Sequence, residues 1–154
     1  SAQTLSDPEF LSEMAAHLAR HRLRPAAVAL EITADDVLGR PGSVAQFAAA
    51  ARRLGIQLTV DGFGSAESSA AALRAVRPNY VKVDRSIVRN VATSPAARSK
   101  LEAAVRIGRK TGMGVICECV ETREVLAAVR RAGAGFAQGY GIHTPEPIAK
   151  ALAR

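Results

Sequence analysis

The sequence predicts an α/β fold in which a parallel sheet of about five strands alternates with helices. Short apolar segments recur along the chain, and segments with the residue spacing of an amphipathic helix separate them. The apolar segments are continuous rather than alternating, which is typical of parallel strands buried on both faces. Several of them end in a charged residue, so polar side chains gather at one end of the predicted strands.

Caps and chain breakers indicate where the helices begin and end. Asp7 can cap the first helix, with Pro8 in its first position. Gly55 and Gly112 each stand just past a helical segment, where a left-handed residue commonly ends a helix. Thr122 can cap a later helix. The predicted helices comprise residues 7–21, 43–54, 69–76, 94–111, 122–132 and 148–152.

The predicted strands lie between these helices. They comprise residues 27–33, 56–61, 79–84, 114–118 and 135–140. This regular alternation favours a parallel sheet, either as part of a (β/α) barrel or as an open doubly wound sheet. No glycine-rich dinucleotide or P-loop motif follows any strand, so a nucleotide-binding fold of those two types is not indicated.

Composition and charge restrict the class of protein. The net charge is +7, from 21 basic and 14 acidic residues, but the chain has no long block of like charge and few aromatic residues to stack on bases. Binding to nucleic acid is therefore the weaker interpretation. No apolar run approaches the roughly 18 residues of a membrane span, and no signal-peptide pattern opens the chain. We expect one domain over residues 1–154, in the cytoplasm.

Polar side chains cluster at the C-terminal ends of the predicted strands. They are Glu31, Asp61, Lys82, Asp84, Glu118 and Gln138. These ends meet at one rim of a barrel, or in one crevice of an open sheet. Acids on neighbouring strand ends can hold Mg²⁺ or Mn²⁺, and a lysine beside them can neutralise a phosphate oxygen. The set is typical of metal-assisted hydrolysis of a phosphate ester, although any one acid could instead cap a helix or pair with an arginine.

The cysteines and histidines suggest no separate site. Cys117 and Cys119 are too few to bind zinc, and we interpret them as small buried hydrophobes. His17 and His21 lie four residues apart on the first predicted helix, but no third ligand is near in sequence, so we place them at the surface. His143 follows the last strand, and we expect a structural role.

Five segments, in this order, resemble the later motifs of the EAL domain family. They are "LEIT", "VDGFGSAESS", "YVKVDRSIV", "ECVET" and "QGYGIHTPEP". The opening "SAQTLSDPEFL" resembles the family segment that follows its third barrel strand. The resemblance implies part of a (β/α)₈ barrel of bacterial cyclic di-GMP signalling. In the family this barrel is a phosphodiesterase that uses two Mg²⁺ or Mn²⁺ ions.

The resemblance also implies a role for each matching residue. Glu31 and Asp61 correspond to metal ligands of the family. Lys82 corresponds to the lysine that contacts the catalytic water or phosphate, and Glu118 corresponds to an active-site glutamate. The remaining correspondences are Gln138 near the metals and substrate, Glu121 in support of the active-site loop, and Asp84 as a structural acid.

The chain departs from the family pattern in its acids and its loop. Gly62 replaces the second aspartate of a double-aspartate motif, Ala34 stands where a glutamate is usual, and Cys119 replaces a glycine. The "GSAESS" loop lacks a glycine and an aromatic residue ahead of its serines. The strand with the name-giving Glu-Ala-Leu motif and a family asparagine ligand have no counterpart in this sequence. We therefore expect metal binding to be weak or absent.

Two hypotheses follow. The first is a degenerate EAL-type domain without phosphodiesterase activity, which acts as a regulatory, protein-interaction or ligand-sensing module. The second is a metal-dependent cyclic di-GMP phosphodiesterase, hydrolysing its substrate to linear pGpG and represented here by a fragment. Because a broken barrel exposes sheet edges, we also expect a protein partner or self-association.

Overall fold

The computed structural model describes residues 4–7, 9–64 and 69–151. One parallel sheet runs through this part of the chain, with its strands paired in chain order. The strands are β1 (Ala29–Thr33), β2 (Gln57–Phe63), β3 (Tyr80–Val83), β4 (Gly114–Cys117) and β5 (Phe136–Ala137). The predicted fold class is therefore confirmed.

Helices precede, connect and follow the strands. They are α1 (Phe10–Arg20), α2 (Ala34–Gly39), α3 (Pro41–Arg53), α4 (Ser69–Val76), α5 (Arg85–Asn90), α6 (Pro95–Thr111), α7 (Arg123–Ala132) and α8 (Ile148–Ala151). Two short 3₁₀ turns, Thr4–Ser6 and Pro25–Ala27, precede α1 and β1. None of the described helices is both long enough and apolar enough to cross a membrane.

The order of the strands decides between the two sheet types that the sequence left open. A doubly wound sheet reverses its strand order at a switch point, whereas here each strand adds to the same edge as the one before. Since parallel crossovers are right-handed, connections that all run in one direction place their helices on one face. The sheet is thus wound as in a segment of a barrel, and we call the face away from the helices the inner face.

The register determines which side chains share the inner face. Glu31 in β1 pairs with Thr59 in β2, and Thr59 pairs with Tyr80 in β3. Lys82, two residues after Tyr80, pairs with Ile116 in β4. Because successive residues of a strand alternate between faces, these five side chains lie on the inner face.

The hydrophobic core lies on the other face, between the sheet and the helices. Val60, Val81 and Val83 alternate with the inner-face residues and are completely buried. Helix side chains such as Val44 and Leu101 are also completely buried and belong to the same cluster. The expectation that both faces of every strand would be buried is wrong for β1, where burial alternates and Glu31 is exposed.

Caps at the longer helices follow the sequence closely. The Ser94 hydroxyl accepts a hydrogen bond from the Ala97 amide at the start of α6, and Gly112 ends that helix with φ of +72°. At α7, Thr122 accepts from the Val125 amide as predicted. These contacts satisfy amide groups that have no partner within the helix.

Several boundaries differ from the predictions. The last strand is only Phe136–Ala137, so Gln138 lies beyond it, and β2 continues past Asp61 to Phe63. The short helices α2 and α5 were not predicted. Pro8 and Leu152, which marked two predicted helix ends, lie outside the described residues, as does most of the "GSAESS" loop.

Candidate functional site

Lys82 in β3 lies at the centre of an ion cluster with Glu31 of β1 and Glu118 of the segment after β4. Its Nζ lies 3.1 Å from Oε2 of Glu31 and 3.2 Å from Oε2 of Glu118. The strand register explains the contact between Lys82 and Glu118, because Lys82 pairs with Ile116 and Glu118 follows Ile116 by two residues on the same face. Glu31 reaches Lys82 from β1, two strands away, with β2 between them. Three of the predicted site residues are thus brought into contact.

The cluster fixes the charge of the lysine. Only 7% of Lys82 is exposed, and burial by itself would lower its pKa. The hydrogen bonds and negative charges of Glu31 and Glu118 outweigh burial, so the pKa of Lys82 is raised above its ordinary value. The side group is therefore an ammonium ion at neutral pH, shared between two carboxylates of which Glu31 is the more exposed.

Asp61 lies where β2 bends. The register between β2 and β3 shifts between Val60 and Phe63, as in a β-bulge. Within this bend Gly62 has φ of +78°, a left-handed conformation that L-residues with a side chain rarely adopt. The Gly62 amide donates a hydrogen bond of 2.8 Å to Oδ1 of Asp61. The bend therefore holds the Asp61 carboxylate against the main chain.

Two departures from the family pattern face each other across this bend. If Gly62 carried a Cβ, its nearest neighbour among the described residues would be the Cβ of Ala34, 3.9 Å away. Both positions line a cleft of about 550 Å³ at the C-terminal ends of the strands. The cleft is lined by Thr33, Ala34, Asp35, Asp61, Gly62, Asp84, Arg85 and Glu118.

Of the other predicted site residues, Asp84 lines this cleft, whereas Glu121 and Gln138 are not among its lining residues. Asp84 caps α5, where its Oδ1 accepts from the amide and the hydroxyl of Ser86 at 2.8 and 2.5 Å. Glu121 pairs with Arg89 of α5 at 3.8 Å, and both side chains are about half exposed. Gln138 is exposed, and its main chain bonds to Cys117 and Val120 on either side of Glu118.

The sequence reasoning missed Asp35 and Arg85, which enter the cleft from the first turns of α2 and α5. A signal for α2 was present in "TADD". The Thr33 hydroxyl accepts from the Asp36 amide at 3.1 Å and donates to Asp36 Oδ2 at 2.8 Å, much like a capping box. Arg85 could have been found in the same way, because Asp84 ends a strand and caps the helix that Arg85 begins.

The burial of the cysteines and the exposure of the histidines agree with the sequence prediction, except that Cys119 is only half-buried. Cys117 is buried, and burial raises the pKa of its thiol to about 12. Cys119 is only half-buried and has φ of +58°. His17 and His21 are both exposed on and just after α1. His143 forms a contact of 3.4 Å between its Nε2 and Oε1 of Glu146.

The donor set does not fit a divalent metal centre. Among the described residues, no group of three or more His, Cys, Asp and Glu side chains is arranged to hold a metal ion. Glu31 and Glu118 converge, but on the Lys82 ammonium group. Hard cations such as Mg²⁺ and Mn²⁺ need several oxygen ligands to replace their hydration shell. Of this carboxylate–ammonium cluster, Glu118 lines the cleft, together with Arg85.

The fold and the cleft define a class of protein: a parallel barrel segment with its polar groups on the strand ends. The family model described as "EAL domain" matches residues 1–145. The chain belongs to the EAL domain family.

Sequence relatives and solved structures agree with this assignment. The chain is 32% identical over 135 residues to the cyclic di-GMP phosphodiesterase NbdA of Pseudomonas aeruginosa, and this match covers 84% of the chain and 17% of NbdA. The EAL domain of FimX from Pseudomonas aeruginosa, solved with c-di-GMP, superposes with a TM-score of 0.87 at 25% identity, covering 95% of this chain and 60% of that one.

A second solved structure is the manganese and cy-diGMP complex of Klebsiella pneumoniae BlrP1, with a TM-score of 0.81 and 28% identity. It covers 87% of this chain and 34% of the BlrP1 chain. The chain thus spans less than two thirds of the length of each of these proteins.

Proposed function

We propose that this chain is a degenerate EAL-type domain of cyclic di-GMP signalling that does not hydrolyse the nucleotide. It acts as a regulatory, protein-interaction or ligand-sensing module. The observation that supports this most strongly is the contact distance of 3.9 Å between the Cβ position of Gly62 and the Cβ of Ala34. Two positions at which the family pattern has acids meet here, and neither carries a carboxylate.

The chemical argument concerns the attacking water. Metal-assisted hydrolysis of a phosphate diester requires ions that activate water and stabilise the leaving oxygen. Gly62 and Ala34 supply no oxygen ligand from their side chains, and the Asp61 carboxylate is held by the Gly62 amide. A large loss of hydrolytic rate is the expected consequence.

The remaining residues keep roles that suit binding. Lys82 is the proposed contact for a phosphate oxygen, and Gln138 the proposed contact for the rest of the ligand. Glu118 is a vestigial catalytic group, whereas Glu31 and Asp61 are vestigial metal ligands. Glu121 is proposed to support the loop beside the cleft, and its ion pair with Arg89 is compatible with that role.

The experiment is a calorimetric titration with cyclic di-GMP, with and without Mn²⁺, followed by analysis of the recovered nucleotide. Binding without linear product would support a ligand-sensing module. No binding and no product would leave the protein-interaction role, which a search for partner proteins then tests. Metal-dependent formation of pGpG would refute the degenerate reading.

A metal-dependent cyclic di-GMP phosphodiesterase is the second candidate, with this chain as a fragment of the enzyme. The contacts of Lys82 with Glu31 and Glu118 favour it, because all three correspond to functional residues of the family. It predicts hydrolysis once additional sequence is supplied. Assaying a longer version of the protein separates the two candidates.

Partners and location form part of the same proposal. We propose a cytoplasmic module that associates with itself or with another protein. Light scattering of the purified chain over a range of concentrations tests self-association directly. A mass that stays at the 16.1 kDa of one chain would argue against it.

A further inference from the structure

The excess positive charge of the chain is concentrated on two neighbouring helices. Helices α6 and α7 carry eight basic and two acidic residues, a net charge of +6, whereas the rest of the chain carries thirteen basic and twelve acidic residues, a net charge of +1. All eight basic residues are exposed, and none of them forms an ion pair within the described part of the chain. They are Arg98, Lys100, Arg106, Arg109, Lys110, Arg123, Arg130 and Arg131.

Packing of the two helices joins these residues into one surface, which we call the α6–α7 face. Arg98 of α6 and Arg131 of α7 line the same groove of about 220 Å³ between the helices. The guanidinium group of Arg109 lies against Gly133, the residue that ends α7. Glu102 also lines the groove, but one carboxylate cannot balance the cations around it. The face therefore attracts anionic partners.

The apolar side of both helices is already in use. Leu101 and Val105 of α6, like Val129 of α7, are buried in the hydrophobic core between the helices and the sheet. The helices therefore cannot turn their apolar side toward a partner without unfolding the domain. Binding at this face would depend on charge, would be superficial and reversible, and would weaken as salt screens the charges.

The side chains of the face distinguish between classes of anionic partner. Neither helix contains an aromatic residue, so the face can neither stack on bases nor supply the aromatic core that is typical of protein interfaces. Its one large exposed apolar side chain is Ile107, which is 38% exposed and lies one helical turn from Lys110. An apolar group among cations suits a surface where anionic headgroups cover hydrocarbon.

We propose that the α6–α7 face binds the surface of a membrane rich in anionic phospholipids. A lysine or arginine close to such a surface strengthens binding by about fivefold. None of the residues that line the strand-end cleft belongs to α6 or α7, so the cleft stays open to a ligand when the face is bound. The inference goes beyond the proposed function and does not depend on binding of cyclic di-GMP.

The test is sedimentation of the full chain with two kinds of vesicle. One kind is pure phosphatidylcholine, and the other contains about one third phosphatidylserine, which gives the surface a negative potential. The wild type should sediment with the anionic vesicles only. A rise in NaCl concentration should release it, because the Debye length shortens.

A triple variant locates the binding face. Arg98→Gln, Arg109→Gln and Arg131→Gln together should weaken binding to anionic vesicles about a hundredfold. The matched control is Arg20→Gln, Arg22→Gln and Arg24→Gln, which removes the same charge from exposed positions before β1, at the opposite edge of the sheet from β5. Because these residues do not reach the bound surface, the control should lose less than about fivefold. An equal loss in both triple variants would overturn the proposal.

If circular dichroism shows that the first triple variant does not fold, Lys100→Gln, Lys110→Gln and Arg130→Gln replace it with the same expected loss. Failure of the wild type to sediment with anionic vesicles, or equal sedimentation with pure phosphatidylcholine, would refute the proposal. Duplex DNA or polyglutamate that displaces the protein from the vesicles at equal anionic charge would indicate a nucleic acid or an acidic protein instead, and would also overturn it.

Discussion

The bend at Gly62 makes a prediction about backbone strain. Gly62 has φ of +78°, and among the described residues the nearest neighbour of an added Cβ would be Ala34 at the ordinary contact distance of 3.9 Å. The described residues therefore leave room for a methyl group at this position, and the expected cost of Gly62→Ala comes from the backbone. A left-handed conformation costs a residue with a Cβ about 1–2 kcal/mol.

The unfolded chain works in the opposite direction. Alanine has fewer unfolded conformations than glycine, which by itself stabilises a protein by about 0.4–1 kcal/mol. The expected net effect of Gly62→Ala is a loss of about 1 kcal/mol in the free energy of unfolding. Gly62→Asn should lose less, because asparagine is enriched in the left-handed region.

Gly42→Ala is the matched control for this measurement. Gly42 lies in α3 and does not have a left-handed φ, and no described residue outside the nearby helix backbone lies within 4 Å of an added Cβ. Here the same substitution should stabilise the protein, by up to about 1 kcal/mol. Urea denaturation followed by circular dichroism measures both changes on one scale. If Gly62→Ala proved as stable as the wild type while Gly42→Ala gained stability, the argument from strain would be refuted.

Three further predictions concern the cap of α7, the two thiols and the lysine. Thr122→Ala should lower the free energy of unfolding by about 1 kcal/mol in urea denaturation, because the Val125 amide loses the hydroxyl that caps it. Thr122→Ser keeps the hydroxyl and should retain most of this stability. Cys117 should resist alkylation at pH 8 in the folded protein, because burial raises its pKa to about 12. The less buried Cys119 should react first. Mass mapping of the alkylated peptides would contradict this if Cys117 were modified before Cys119. The folded pKa of Lys82 lies above its ordinary value of 10.5, so its ion pairs contribute stability that is complete below that value and is lost as pH rises through the folded pKa. Urea denaturation from pH 9 to 12 should therefore show a steeper loss for the wild type than for Lys82→Met, and equal slopes would contradict the assignment.

The parts of the fold that could be predicted from sequence are those fixed by local chemistry. Thr122 and Gly112 were correctly placed at helix ends, because capping depends on a few neighbouring residues. The alternation of apolar and helical segments was sufficient to predict a parallel sheet. The short helices were missed because α2 and α5 have only six residues each, too few to show a helical period.

The site was predictable as a set of residues but not as a set of contacts. Chain order alone placed Glu31, Lys82 and Glu118 at the strand ends. Their convergence on one ammonium group depends on the register of four strands, which pairs Lys82 with Ile116 rather than with a neighbour one position away. A shift of one residue would turn Lys82 toward the helices. The left-handed φ of Gly62 was likewise not visible, although the glycine itself was.

The geometry also changes how the two lost acids should be counted. In sequence, Gly62 and Ala34 are separate departures from the family pattern, whereas in the fold they occupy the two sides of one corner. The ion cluster of Lys82 joins β1, β3 and the segment after β4, and it includes neither Gly62 nor Ala34. Under the proposed function, the altered corner removes hydrolysis while Lys82 remains as the contact for a phosphate oxygen, so that binding and hydrolysis would separate.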